Sequence, residues 1–319
     1  MKLKFGVIGT GHMGHYHVNV LSMLAPQLIE FIGIYDTDQK RASEISGTYK
    51  IKSFNNAEEL MAGCDAVSIA VPTVDHYNIG KKALESGLHV LIEKPITINV
   101  QQAEELVAIA EKKKLVLQAG HVERFNGAVQ ELKNIVTNPV LWEARRMGPN
   151  PKRSLDVSVV YDLMIHDIDI CLNVVNSPVV SVEACGQKVI SAQEDVASAL
   201  LYFKNGCIAT ITSSRVTQEK FRTLSISQHD SYIHLDFTTQ DLQIVRQGSS
   251  MTTTSADNIK YRQESVIERL FVHKDNPLKC QFQHFIRTIL GEEPPHVLNS
   301  MDIETMRITG KIIEKIRGK

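Results

Sequence analysis

Short apolar runs alternate with amphipathic segments along the first part of the chain. Leu3–Ile8 and Ile29–Tyr35 have the length and β-branched content of buried strands, whereas Val100–Lys113 carries its apolar residues at helical spacing. This order is typical of a parallel sheet that helices cover on both faces. We predict a doubly wound sheet with strands at 3–8, 29–35, 66–71, 89–94 and 115–119, and helices from about 14, 39, 78 and 100.

The pattern changes after about residue 121. Alternating segments at 198–213 and 223–236 follow one another without helices between them, which indicates a mostly antiparallel sheet. An Asn-Gly pair at 205–206 is a hairpin signal within the first segment. Helical patterns return at 277–290 and 302–316. We therefore predict an α/β protein with one domain at 1–121 and a second at 122–319.

Composition and charge narrow the class of protein. A chain of 319 residues with 43% hydrophobic and 22% charged residues is an ordinary globular protein, and its length favours two domains. The formal net charge of -1 gives no general attraction to nucleic acid or membrane, and no apolar run reaches the roughly 18 residues of a membrane helix. The five cysteines form no C-x-x-C pair, which argues against a zinc knuckle and disulfides. We expect a cytoplasmic protein that binds neither nucleic acid nor membrane.

A glycine-rich turn joins the first strand to the first helix. The glycines of this turn permit a sharp bend, close approach of the backbone to a pyrophosphate, and close packing of helix on strand. N–H groups at the helix N-terminus favour bound phosphates. Although His12, His15 and His17 resemble a metal cluster, they straddle the turn and its helix, and we predict no metal. The pattern predicts a dinucleotide site formed by Gly9, Thr10, Gly11, His12, Met13 and Gly14.

An acidic residue ends the second strand. Asp36 lies where a carboxylate accepts hydrogen bonds from the adenosine ribose and repels a 2′-phosphate, which predicts NAD rather than NADP. Two alternatives remain open. Asp36 could cap the helix that begins near Gln39, and Lys40 or Arg41 could accommodate a phosphate.

A lysine stands at the end of the fourth strand. Ligands of doubly wound sheets bind at the carboxyl ends of the strands, so Lys94 is a candidate for chemistry, and Pro95 stiffens the turn that carries it. The third strand ends nearby in a Val-Pro-Thr segment, and His76 follows at a helix start, where a purely structural role is an equal alternative. We predict that the cofactor contacts Val71, Pro72, Thr73, His76, Glu93 and Lys94.

One buried helix of the second domain carries polar residues. Four of them fall in one stripe at 100° per residue among apolar neighbours: Asp162, His166, Asp169 and Asn173. Asp162 and His166 lie one turn apart, so the carboxylate can orient the imidazole, and histidine is the usual general base at neutral pH. We predict that His166 removes a hydroxyl proton while Lys94 stabilises charge on that oxygen, with Asp169 and Asn173 structural. The alternative is a core histidine satisfied by its neighbouring aspartate.

These motifs together resemble those of the glucose-fructose oxidoreductase and inositol dehydrogenase family, also called Gfo/Idh/MocA. The resemblance rests on Gly9-x-Gly-x-x-Gly14, Asp36, Glu93-Lys-Pro95, Asp162-x-x-x-His166 and the late segment 277–285. It implies an N-terminal Rossmann domain and a C-terminal α/β domain with an open, mostly antiparallel sheet, which binds substrate and forms a homodimer or homotetramer. It also implies that Lys94, Asp162 and His166 are the catalytic residues.

Two segments are similar to one branch of the family. Residues 120–126 and 156–169 look like those of bacterial UDP-N-acetylglucosamine 3-dehydrogenases, although Asn126-Gly127 stands where that branch has Asn-Pro. This resemblance implies NAD-dependent oxidation of a UDP-sugar to its 3-keto form, which an aminotransferase then converts for lipid A biosynthesis. Alternatives are a dehydrogenase of free inositol or glucose, a non-catalytic NAD-binding regulator, and an NAD-assisted hydrolase or lyase.

Basic residues near the predicted catalytic helix suit a diphosphate. A cluster at 145–153 brackets Gly148-Pro-Asn-Pro151, and guanidinium groups match diphosphate oxygens. The alternative is a solvated basic loop. Arg124 follows the fifth strand, and Arg215 is a weaker candidate. We predict that substrate contacts Lys94, Arg124, Arg145, Arg146, Arg153, Asp162 and His166.

Overall fold

The computed structural model describes residues 2–25, 27–150, 155–255, 258–297 and 299–318, and the chain forms two compact units. The strands of the first unit are β1 (Leu3–Ile8), β2 (Ile29–Tyr35), β3 (Ala66–Ile69), β4 (His89–Glu93) and β5 (Leu117–Gly120). They form one sheet in the order β2-β1-β3-β4-β5, in which neighbouring strands are parallel. The predicted doubly wound sheet is confirmed.

Helices cover both faces of this sheet. Successive residues of β4 point to opposite sides, since Val90 and Ile92 belong to one buried core and Leu91 to another. Burial on both faces explains why the strands read as continuous apolar runs. The helices between the strands are α1 (His12–Leu24), α2 (Gln39–Tyr49), α3 (Ala57–Met61), α4 (Thr73–Glu85) and α5 (Val100–Lys113), and a 3₁₀ turn follows β5 at Val122–Phe125.

The second unit is built on an eight-stranded sheet. Its strands are β6 (Leu141–Met147), β7 (Val179–Gln187), β8 (Val196–Phe203), β9 (Ile208–Ser214), β10 (Phe221–Ser227), β11 (Tyr232–Asp236), β12 (Asp241–Ser255) and β13 (Asn258–Leu270). They run in the order β13-β12-β11-β10-β6-β9-β8-β7. β6 and β9 pair in parallel and the other neighbours are antiparallel, so the predicted mostly antiparallel sheet is confirmed.

Helical segments of the second unit include the predicted catalytic region. They are α6 (Gly127–Ile135), a π-helical turn (Val160–Met164) and α7 (Ile165–Val175). α7 packs on β6 and β9. Two further helices, α8 (Pro277–Ile289) and α9 (Asn299–Arg317), end the described chain. Within that described part, none of the helices is long and apolar enough to cross a membrane.

The two compact units divide the chain differently from the predicted boundary at residue 121. The first unit comprises Met1–Phe125 and Asn276–Arg307, and the second comprises Asn126–Asp275 and Ile308–Lys319. α8 belongs to the first unit because its aromatic face completes the core there. Phe282 and Phe285 meet Phe5 of β1 edge to face, with ring centroids 5.8 and 6.0 Å apart. The sequence shows that α8 is amphipathic but not which sheet it covers.

Candidate active site

The turn between β1 and α1 has the shape of a phosphate cradle. Gly9 adopts a φ of 88°, and a Cβ at Gly14 would lie 2.0 Å from the carbonyl oxygen of Gly9, so packing of the chain itself requires both glycines. A Cβ at Gly11, in contrast, would have no neighbour within 4 Å. Gly11 therefore borders open space at the N-terminus of α1, where first-turn N–H groups lack partners within the helix. The residues present fit a bound pyrophosphate.

Asp36 is buried and accepts hydrogen bonds from three residues. Oδ2 accepts from Thr10 N at 2.6 Å, Thr10 Oγ1 at 2.8 Å and Arg41 Nε at 3.3 Å. Oδ1 accepts from Asp38 N at 2.8 Å and Arg41 Nη2 at 2.9 Å. Burial raises the pKa of Asp36, but these hydrogen bonds outweigh it and lower the pKa to about 2. The carboxylate is therefore ionised at neutral pH.

These contacts revise the alternatives for Asp36. Asp38, not Asp36, caps α2, because the Asp38 side chain accepts from Arg41 N. The guanidinium of Arg41 already donates hydrogen bonds to the Asp36 carboxylate, and the Arg41 side chain is 44% exposed. A ribose hydroxyl at Asp36 would have to share the carboxylate with Arg41 or displace it. Contact between Asp36 and a ribose stays a prediction.

Two residues predicted to contact the cofactor turn their side chains inward. His76, in α4, is 1% exposed; its Nδ1 lies 2.8 Å from Pro95 O and its Nε2 lies 2.9 Å from Val71 O. Glu93 is 6% exposed, and its Oε1 lies 3.0 Å from His17 Nε2. Burial of these side chains argues against their contact with the cofactor, and for His76 it favours the structural alternative.

Other residues at this edge of the sheet remain accessible. Lys94 is half-buried and its peptide bond to Pro95 is cis. Pro72 precedes α4 and is exposed, while Thr73 opens that helix. The accessibility of Lys94 within the first unit is compatible with its predicted catalytic role.

In the second unit, the predicted polar stripe is interrupted. Asp162 lies in the π-helical turn and His166 is the second residue of α7, and both are half-buried. Because a π-helical turn advances by a smaller angle per residue than an α-helix, one stripe at 100° per residue does not describe the whole segment. Asp169 is buried, and its carbonyl and carboxylate oxygens accept from the Asn173 amide at 2.8 and 3.3 Å. This agrees with the structural role expected for Asp169 and Asn173.

Three of the arginines lie in buried ion pairs, which argues against their expected role in substrate binding. Arg146 is 1% exposed and makes two 2.8 Å hydrogen bonds to Asp167. Arg124 is buried against Asp302. The weaker candidate Arg215 is buried against Asp195.

Arg145 keeps the expected accessibility. It is exposed on the opposite face of β6 from Arg146, with its guanidinium 5.1 Å from the centre of the Phe221 ring. Arg153 and Lys152 lie outside the described residues. Of the predicted arginines in the described ranges, Arg145 best fits a solvent-facing ligand.

Comparison with known proteins identifies the family. The family model described as an oxidoreductase family with an NAD-binding Rossmann fold matches residues 3–121, and the model of the GFO/IDH/MocA C-terminal domain matches residues 127–233. The chain belongs to the Gfo/Idh/MocA oxidoreductase family. Family membership implies a nicotinamide cofactor, in agreement with the cradle at Gly11.

Among Gfo/Idh/MocA proteins, the chain is similar over nearly its whole length to a UDP-N-acetylglucosamine 3-dehydrogenase from Acidithiobacillus ferrooxidans. The two are 32% identical over 92% of this chain and 90% of the relative. The solved structure of that dehydrogenase, GnnA, superposes with a TM-score of 0.91 and covers 100% of this chain and 98% of its own. A myo-inositol 2-dehydrogenase from Thermotoga maritima is 26% identical over 67% of this chain and 69% of the relative.

Sequence reasoning missed a buried residue next to this site. His17 was considered only together with His12 and His15, for which we predicted no metal, yet it is fully buried and contacts Glu93. The sequence contained a usable signal, because His17 lies at i, i+4, i+7 spacing with Leu21 and Leu24 on the buried face of α1. A histidine on a buried helix face needs hydrogen-bond partners inside the protein.

Proposed function

We propose that this protein is an NAD-dependent dehydrogenase that oxidises the C3 hydroxyl of UDP-N-acetylglucosamine to a ketone. Similarity to the Acidithiobacillus ferrooxidans enzyme carries the proposal, because it spans both units at 32% identity. The inositol dehydrogenase match is lower in identity and covers about two thirds of the chain. The sugar nucleotide is therefore the favoured substrate.

The cofactor would be held by the glycine turn and by Asp36. Backbone N–H groups around Gly11 would bind the pyrophosphate, and the ionised Asp36 would favour NAD by repelling a 2′-phosphate. When bound, NAD supplies the nicotinamide carbon that accepts a hydride. Arg41 limits this preference, since its guanidinium neutralises part of the Asp36 charge.

In this oxidation the hydroxyl group loses a proton, and the carbon that bears it loses a hydride. We assign removal of the proton to His166 and stabilisation of the developing oxygen charge to Lys94. Asp162 would orient the imidazole of His166 and increase its basicity. Support comes from the accessibility of each group on its own unit and from the resemblance of Lys94, Asp162 and His166 to the catalytic residues of the family.

Substrate recognition would involve Arg145. An exposed guanidinium can bind diphosphate oxygens in a bidentate manner. The 3-keto product is a substrate for an aminotransferase, which we propose as the next enzyme. The family resemblance also favours a homodimer or homotetramer, which light scattering would measure.

The test is a substrate panel with purified protein. We expect UDP-N-acetylglucosamine to reduce NAD, read as absorbance of the reduced cofactor. Replacing NAD by NADP, or the sugar nucleotide by free inositol or glucose, should lower the rate strongly. Single-turnover measurement and a 2-keto acid as electron acceptor belong in the assay, because tightly held cofactor can hide steady turnover. Activity confined to free polyols would contradict the substrate assignment, and cleavage of the glycosidic bond without net cofactor reduction would contradict the dehydrogenase reaction.

A further inference from the structure

Two buried histidines contact the chain neighbours of Lys94. His17, in α1, contacts the side chain of Glu93, the residue before the lysine. His76, in α4, contacts the carbonyl of Pro95, the residue after it. His17 is fully buried and His76 is 1% exposed, so neither side chain can bind substrate directly. The mechanism proposed above uses neither of them.

His17 fixes the carboxylate of Glu93. Its Nε2 lies 3.0 Å from Glu93 Oε1, and its Nδ1 lies 2.7 Å from Ser68 Oγ. An ionised carboxylate only accepts, so His17 donates its Nε2 proton to Glu93, and the Ser68 hydroxyl forms the hydrogen bond with Nδ1. Burial raises the pKa of Glu93, but the hydrogen bond from His17 and the charges of neighbouring groups, Lys94 among them, outweigh it and lower the pKa. Glu93 is therefore ionised inside the unit.

The second oxygen of Glu93 faces the lysine backbone. The Lys94 N–H lies 3.3 Å from Glu93 Oε2. β5 closes the other side, since a Cβ at Gly120 would lie 2.9 Å from Glu93 Oε1. The carboxylate is thus held by a strand, a helix and its own backbone, and a shift of Glu93 would shift Lys94.

His76 fixes the chain on the other side of the lysine. Its ring lies between two carbonyl oxygens, Pro95 O at 2.8 Å and Val71 O at 2.9 Å. Burial lowers the pKa of His76 more than these contacts raise it, so the neutral ring donates to one carbonyl at a time. The contact with Pro95 is the fully buried one, and a buried carbonyl without a donor is costly. We therefore place the proton on Nδ1, toward Pro95.

We propose that His17 and His76 are positioning residues that fix the backbone on both sides of Lys94 and thereby aim its ammonium group. The proposal rests on the catalytic role proposed for Lys94. Apolar residues could fill the same buried volume without polar groups to satisfy, so the hydrogen-bonded histidines are explained by the geometry that they impose.

Amide substitutions separate the two contacts of each ring. An asparagine amide replaces a donor near Nδ1, and a glutamine amide replaces one near Nε2. We expect His76→Asn and His17→Gln to stay within a few-fold of wild-type kcat, because they keep the contacts with Pro95 and Glu93. His76→Gln and His17→Asn should lower kcat on the order of 10²-fold, the usual effect of a small misplacement of a reacting group. NAD affinity should be unchanged in all four.

A double-mutant cycle with Lys94→Ala tests whether the effect passes through the lysine. In that background, His76→Gln and His17→Asn should not reduce the residual single-turnover rate further. Additive losses, loss of NAD affinity, or equal kcat in the matched Asn and Gln variants would overturn the proposal.

Amide hydrogen exchange gives a measurement that needs no substrate. We expect His76→Gln to speed exchange in the segment 92–97 relative to wild type and to His76→Asn, with other segments unchanged. Equal exchange in all three proteins would overturn the positioning role. If wild type oxidised no sugar on the panel, the proposed function would fail while the exchange comparison still decided this inference.

Discussion

Arg146 is predicted to stabilise the second unit and to take no part in substrate binding. Its guanidinium makes two 2.8 Å hydrogen bonds to Asp167, and both side chains are 1–2% exposed. Removal of one partner from such a pair typically costs about 3–5 kcal/mol, because the remaining charge is buried without compensation. We therefore expect Arg146→Met to lower the free energy of unfolding by about that amount.

Urea unfolding can measure this loss in the second unit alone. The chain has one tryptophan, Trp142, which is fully buried on β6 near Arg146, so its fluorescence reports on that unit. With an m value of about 2 kcal/mol/M, the expected loss moves the midpoint down by roughly 1.5–2.5 M. Replacing both partners, as Arg146→Met with Asp167→Leu, should recover most of the stability.

Arg145→Met is the matched control, because Arg145 is the exposed neighbour on the other face of the same strand. We expect it to leave the midpoint unchanged and to raise KM for the UDP-sugar. The reasoning would be refuted if Arg146→Met kept the wild-type midpoint and raised KM instead.

Three further predictions concern the cofactor and catalytic residues. Gly14→Ala should lower the melting temperature, because its Cβ meets a carbonyl oxygen at 2.0 Å, whereas Gly11→Ala should keep the melting temperature and weaken NAD binding in calorimetry. Asp36 has a folded pKa of about 2 against 3.8 unfolded, so its roughly 2 kcal/mol of stability is complete above about pH 4 and lost as pH falls toward 2. Asp36→Asn should therefore differ from wild type in urea midpoint at pH 7 and converge with it near pH 2; a constant difference would contradict the pairing. Lys94→Ala and His166→Ala should each lower kcat by roughly 10²- to 10⁴-fold with NAD affinity retained, and near-normal turnover in either would remove that residue from the mechanism.

Hydrophobic periodicity was sufficient to predict the first sheet. The bounds of α5 followed from the sequence because both ends are marked: Asn99 caps the N-terminus, and Lys114 takes a left-handed conformation after the last turn. α4 begins at Thr73, five residues before the predicted start, because Pro72 opens the helix at a position where the periodic signal is weak. Local chemistry thus set boundaries that periodicity missed.

Residue roles were harder to predict, because they depend on which way a side chain points. Arg145 and Arg146 were grouped as one basic cluster, yet consecutive residues of a strand face opposite sides of the sheet. The π-helical turn before His166 was likewise missed, because a projection at 100° per residue assumes a regular α-helix. Glu93 and His76 belong to the predicted edge of the sheet, but only tertiary contacts show that they point inward.

The contribution of α8 to the first unit has a consequence for synthesis of the protein on the ribosome. Phe5 is among the first residues made, while Phe282 and Phe285, which cover it, follow about 160 residues after the sheet is complete. At a synthesis rate of about 5–20 residues per second, one apolar face of the first unit stays exposed for roughly 8–30 s until α8 has been made. A fragment that ends at Phe125 keeps that face uncovered permanently, and we expect it to bind the dye ANS and to aggregate rather than to serve as an isolated cofactor-binding domain.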